Sequence, residues 1–157
     1  MTLPPLWPVF DGHNDLLLNL WLQHDDDPAA AFYSRVTPGH LDFSRMRRGG
    51  FFGGLFAVFI PPVSYIAQMR NQTQDEAQAT FDPLAIAERQ IAILQQLEQA
   101  SQGRLRICRT ATEIEQCRLN RQIAAVLHIE GAGMIDAELT QLEAFYRLGV
   151  RSIGPFW

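Results

Sequence analysis

The sequence predicts an α/β fold built on a parallel sheet. Short apolar runs alternate along the chain with segments of helical pattern, the strand–helix–strand order of that class. The run from Phe52 to Ile60 is apolar almost throughout, the habit of a parallel strand buried on both faces. Capping residues and glycines stand where the pattern switches period.

Taken in order, "WPVFDGHND" reads as a short buried strand ending in a turn, and "LLLNLWLQ" as the start of a helix. His24 to Gly50 is polar and broken by Pro28, Pro38 and Gly39, which predicts a loop-rich excursion of the kind that often carries function. The Phe52–Ile60 strand ends at Pro61 and Pro62. The pairs Gly49–Gly50 and Gly53–Gly54 allow close backbone approach or unusual dihedrals, but they lack the spacing and following helix of a phosphate loop. Residues 63–81 are polar and weakly patterned. A strong helix follows, capped by Asp82 with Pro83 in its first turn. Ile86, Ile93 and Leu97 share one of its faces beside Leu94, and Gly103 lies past its end. "RLRIC" is a short strand, and "TATE", Thr110 to Glu113, is a capping box opening the next helix, with Ile114 and Cys117 on one side. "IAAVLHIEG" is a buried strand. Asp136 is expected to cap a further helix with an apolar stripe of Leu139, Leu142, Phe145 and Tyr146, ended by Gly149. "VRSIGPFW" is a last strand.

About five strands result. A complete (β/α)8 barrel takes eight and roughly 250 residues, so 157 residues suit either a small open α/β domain or the first half of a barrel. A hydrophobic share of 47% and a charged share of 19% suit a globular protein with one core. The net charge of −4 argues against nucleic acid as a partner. The one dense basic cluster, Arg45, Arg47 and Arg48, reads as a surface patch or helix end. Cys108 and Cys117 are too few for a disulfide framework and read as buried or half-buried thiols of a reducing compartment. With no signal-peptide pattern at the N-terminus and no membrane-length apolar run, a cytoplasmic location is expected.

The chemistry gathers where strands end, as it does in α/β folds. The first strand ends in His13 and Asp15, two apart, so that in extended chain an imidazole and a carboxylate face the same way. That nitrogen–oxygen mix suits zinc or a similar divalent ion. A later strand ends in Glu130, followed by Gly131, and a carboxylate there can bridge two ions. His128 lies two residues earlier and can share that face. Other roles fit the same residues. Asp11 and Asp15 suit capping, Glu130 suits a surface strand end, and His128 suits a hydrogen-bonded core histidine. His24 and His40, in the polar excursion, suit solvent.

Four blocks, "DGHNDLLL", "MRRGGFFGGLFAVFIP", "AAVLHIEGAGMI" and "YRLGVRSIGPFW", resemble in order successive blocks of the membrane dipeptidase (renal dipeptidase) family of zinc peptidases. The resemblance implies a (β/α)8 barrel of the metal-dependent amidohydrolase type and hydrolysis of dipeptides, some containing D-residues, at two zinc ions. It places the family's HxD ligands on His13 and Asp15 and its bridging glutamate on Glu130. The two ions would activate a shared water for attack on the peptide carbonyl. It also implies departures. The histidines completing the second metal site, an aspartate near the metals and the groups that hold the substrate carboxylate belong to the family's C-terminal half. Trp157 stands where many members carry a catalytic-site histidine.

The expectation is therefore the N-terminal portion, residues 1–157, of a zinc dipeptidase barrel, inactive by itself. The alternative is a non-catalytic half-barrel that pairs with a complementary C-terminal half or with itself. A third reading is a small α/β domain without metal.

Overall fold

The computed structural model describes residues 7–23, 26–34 and 39–156; the expectations for His24, Pro38 and Trp157 fall outside them. All strand pairs are parallel. β1 (Val9–Asn14) lies beside β2 (Phe51–Phe59), which pairs along its length with β4 (Ile123–Glu130). On the far edge of β4, β3 (Leu105–Ile107) pairs with residues 123–125 and β5 (Val150–Gly154) with residues 127–130. β3 and β5 thus share one edge, end to end. The order β1, β2, β4, β5 is the order successive strands take in a (β/α)8 barrel, and the short "RLRIC" strand is an addition under β5 rather than a member of that series. The expected α/β fold with parallel strands is observed.

The helices follow the caps. Asp82 accepts from Leu84 N and Ala85 N at the start of α6 (Pro83–Ala100), and Thr110 and Glu113 form the expected capping box of α7 (Ala111–Leu119). α1 (Leu16–Leu22) follows β1 directly. Two polar stretches are more ordered than expected. The 24–50 excursion contains α2 (Pro28–Ser34), where Asp27 accepts from Ala30 N at 2.8 Å, and α3 (Phe43–Arg48), capped by Asp42. Arg45, Arg47 and Arg48 sit in the last turn of α3, the helix-end alternative, where cations complement the carbonyl dipoles. Residues 63–81 hold α4 (Val63–Arg70) and α5 (Gln74–Ala79), the latter opened by a Thr73–Glu76 capping box. Side-chain caps stabilise α2, α3 and α5 despite weak apolar periodicity. α8 begins at Thr140 rather than just after Asp136 and runs to Leu148. Asp136 still serves its N-terminus, accepting from Thr140 N at 2.8 Å. Of the expected stripe only Phe145 is buried. Leu139, Leu142 and Tyr146 are exposed, because among the described residues no element packs over that face.

Side chains alternate across β4. Ile123, Ala125, Leu127 and Ile129 are fully buried in the main core with Leu94 and Leu97 of α6, Leu17 and Leu20 of α1 and Phe56 of β2. The opposite face is divided. Ala124 and Val126 pack with Cys108 and Cys117 near α7, both of them free buried thiols, while His128 and Glu130 occupy the carboxyl end. Burial pushes the Cys108 and Cys117 thiols upward in pKa, so both stay protonated and unreactive. No helix among the described residues is long and apolar enough to cross a membrane.

The β2 glycines serve close approach. A Cβ on Gly53 would lie 2.8 Å from the Ala124 carbonyl oxygen, and one on Gly54 would lie 2.9 Å from both Cβ and the carbonyl oxygen of Asp11. Nothing lies within 4 Å of a Cβ on Gly12 of β1. Gly54→Ala is therefore expected to cost about 1–3 kcal/mol through overpacking, and Gly12→Ala less than about 0.5 kcal/mol. Urea unfolding of the two variants beside wild type measures the difference; equal costs would contradict the packing argument.

Candidate metal centre

β1 and β2 lose register just before the site. Asp11 pairs with Gly54 and Asn14 with Phe56, three steps on β1 against two on β2. The extra residue is a bulge, a device that re-aims side chains at strand ends. His13 lies within it. Asp15 lies beyond the strand, at the N-cap of α1, with φ −96° and ψ 28°. The two side chains therefore do not converge by strand alternation, as two-apart residues in extended chain would; the bulge and the turn into α1 bring them together. Asp15 sits at a capping position yet makes no side-chain capping bond. Its Oδ1 lies 3.3 Å from His13 Nε2 instead.

Glu130 ends β4, two strands away. Gly131, at φ 76°, turns the chain there, a conformation glycine adopts without strain, and its N–H donates to the Gly154 carbonyl at 2.7 Å. Glu130 Oε2 lies 3.4 Å from His13 Nε2. One donor atom each from His13, Asp15 and Glu130 lies within 4.8 Å of the others. One imidazole nitrogen and two carboxylates form a hard-to-borderline donor set that fits a divalent ion.

His128 lines the same face. Its Nδ1 lies 2.9 Å from Ser152 Oγ, and its ring centroid is 6.0 Å from that of His13, edge on. Burial, and then the proximity of His13, lower its pKa against the pull of Glu130, so the ring is neutral at pH 7. The structure thus gives His128 a hydrogen bond to β5 as well as a place beside the cluster. His40 is exposed, as expected, and lines a cleft of about 420 Å³ with Asp11, Asn14 and Asn19. A second cleft, of about 340 Å³, opens on the other side of the cluster between Leu18, Phe59, Pro62 and Tyr65.

Gln90 escaped the sequence reading. It is fully buried on α6, where its Oε1 accepts from Phe59 N (3.1 Å) and its Nε2 donates to Phe59 O (2.7 Å). Phe59 is the β2 residue in register with Glu130, so this bidentate tie holds the strand end beside the carboxylate. The available signal was an amide inside the apolar face, at Ile86, Gln90, Ile93 and Leu97.

The sequence profile described as membrane dipeptidase, peptidase family M19, matches residues 3–157. The chain belongs to this family. It is 42% identical over 154 residues to an uncharacterised protein encoded in the PQQ-III 3′ region of Acinetobacter calcoaceticus, covering 96% of this chain and 49% of that protein. It is 28% identical over 148 residues to the dipeptidase verJ of Clonostachys rogersoniana, covering 93% of this chain and 37% of that one. The crystal structure of a Rhodobacter sphaeroides metallopeptidase, liganded with a phosphinate mimic of the dipeptide L-Ala-D-Ala, superposes with a TM-score of 0.82 at 34% identity, over 98% of this chain and 46% of that one. The chain thus spans about half the length of such relatives.

Gln90→Leu keeps the volume and removes the two hydrogen bonds from Gln90 to the Phe59 backbone. It is expected to destabilise the protein by about 1–3 kcal/mol, read from chemical denaturation; a cost under about 0.5 kcal/mol would show that the tie does not hold β2.

Proposed function

We propose that this chain contributes His13, Asp15 and Glu130 to the zinc centre of a dipeptidase, which hydrolyses the peptide bond of dipeptides. The observation that carries this reading is the convergence of the three donor atoms within 4.8 Å at the carboxyl ends of β1 and β4. A divalent ion bound there supplies Lewis acidity, lowering the pKa of water and polarising a carbonyl.

The residues of the chain do the rest. Asp15 and Glu130 neutralise the cation and His13 adds a neutral nitrogen donor. Glu130, less exposed than the other two, has a second carboxylate oxygen to offer a neighbouring ion, which supports a two-zinc site. Three side chains do not fill the coordination of two zinc ions, so a two-zinc site needs further donors. Leu18, Phe59, Pro62 and Tyr65 form a mainly apolar wall for a small substrate side chain. The dipeptide mimic bound by the Rhodobacter relative makes L-Ala-D-Ala the first substrate to test.

The exposed Leu139, Leu142 and Tyr146 of α8 favour an accompanying assembly role. A complementary C-terminal half, or a second copy, covers this face, and a complementary half also brings the missing donors. These 157 residues are expected to bind zinc weakly and to be inactive when isolated. Mixing them with the C-terminal half of a relative should produce L-Ala-D-Ala hydrolysis that chelation abolishes and that is lost in His13→Ala. Robust hydrolysis by the isolated 157 residues would contradict the inactivity. Absence of zinc binding, or binding untouched by His13→Ala, would contradict the metal reading.

A further inference from the structure

Asn14 stands between the two β1-side donors and is buried, with only 6% of its surface exposed. Its Nδ2 donates to the carbonyl oxygen of Leu55 on β2 and to Asp11 Oδ2, both at 3.1 Å. Its Oδ1 accepts from Leu16 N, the first N–H of α1, at 3.4 Å. These bonds fall where the β1–β2 register breaks. One amide therefore ties together the residue before the bulge, the neighbouring strand and the start of the following helix. The contact with Leu16 N also takes over the capping task that Asp15 occupies the position for but does not perform.

We propose that Asn14 is the positioning residue of the metal centre: it holds the bulge so that His13 projects toward Glu130, and it caps α1 so that the Asp15 carboxylate is left free to face His13. The inference rests on the metal reading of the His13–Asp15–Glu130 cluster. The chemistry asks for an amide, which donates twice and accepts at the same time. An aspartate of the same shape would set an acceptor against Asp11 Oδ2 and the Leu55 carbonyl. An alanine would leave the Leu55 carbonyl and the Leu16 N–H without this partner.

The test is Co²⁺ titration of the purified protein, followed by visible absorption, for wild type, Asn14→Ala, Asn14→Asp, His13→Ala and the core variant Ile91→Ala. Thermal melts establish that each variant is folded at the titration temperature, and the isosteric Asn14→Asp guards against collapse of the alanine variant. Both Asn14 variants are expected to bind Co²⁺ about 10–100-fold more weakly, with a changed absorption band. Ile91→Ala, destabilised through the core alone, should keep wild-type affinity and spectrum. Asn14 variants that match wild type while His13→Ala loses Co²⁺ would overturn the proposal and leave the metal reading standing. An equal loss in Ile91→Ala would also overturn it, as a mere stability effect. His13→Ala binding Co²⁺ like wild type would overturn the metal reading itself, and the role of Asn14 with it.

Discussion

Gly53 and Gly54 let β2 lie between β1 and β4 where a Cβ would clash with both, and that packing sets the two strands that carry the site on either side of β2. A Cβ at either position would press within 3 Å of a neighbouring strand, β4 at Gly53 and β1 at Gly54. His13 belongs to β1 and Glu130 to β4, with β2 between them. In a sheet that separation is about 10 Å from backbone to backbone. The side chains nevertheless meet at 3.4 Å, because the bulge at residues 12–13 throws His13 over β2 and Gln90 holds the end of β2 from behind. The glycines set the strand packing, while the bulge and the buried amide tie act at the strand ends that carry the site.

The charges at that point suit a cation. Two carboxylates face the same imidazole nitrogen at 3.3 and 3.4 Å and repel one another. A divalent ion among them satisfies all three donors together. Several acids elsewhere pair with arginine: Asp42 with Arg45, Glu113 with Arg106 and Glu115 with Arg118. Burial opposes ionisation of Asp42, but the Arg45 backbone and guanidinium outweigh it and hold the carboxyl below its usual range. The Asp15 and Glu130 contacts described above are to a histidine instead.

Much of this was legible in the sequence, and the misses have physical causes. The buried strands β2 and β4 announced themselves by continuous apolar runs, and α6 and α7 by Asp82–Pro83 and by the Thr110–Glu113 box. The same cap grammar was present at Asp27–Pro28 and at Thr73–Glu76, where weak periodicity masked it; α2 and α3 fell in a stretch read as loop-rich, and α4 and α5 in one given no element. His13, Asp15 and Glu130 were identifiable as strand-end ligands and their convergence was expected; the means of it was not, since the bulge at residues 12–13 and the turn into α1 depend on the sheet partner. Gln90 and Asn14 were silent for a related reason. Each acts through backbone groups distant in sequence, Phe59 and Leu55, and pairing across the fold leaves no local pattern. The stripe on α8 was read correctly as apolar, but how much of it is buried was not legible, because periodicity reports a face and not what covers it.

If β1 and β4 deliver one imidazole and two carboxylates to a single divalent ion, zinc K-edge X-ray absorption on the zinc-loaded protein will show it. The expected first shell is nitrogen and oxygen at about 2.0–2.2 Å, with imidazole outer-shell scattering that disappears in His13→Ala. A sulfur shell at about 2.3 Å, or an all-oxygen shell without imidazole scattering, would contradict it.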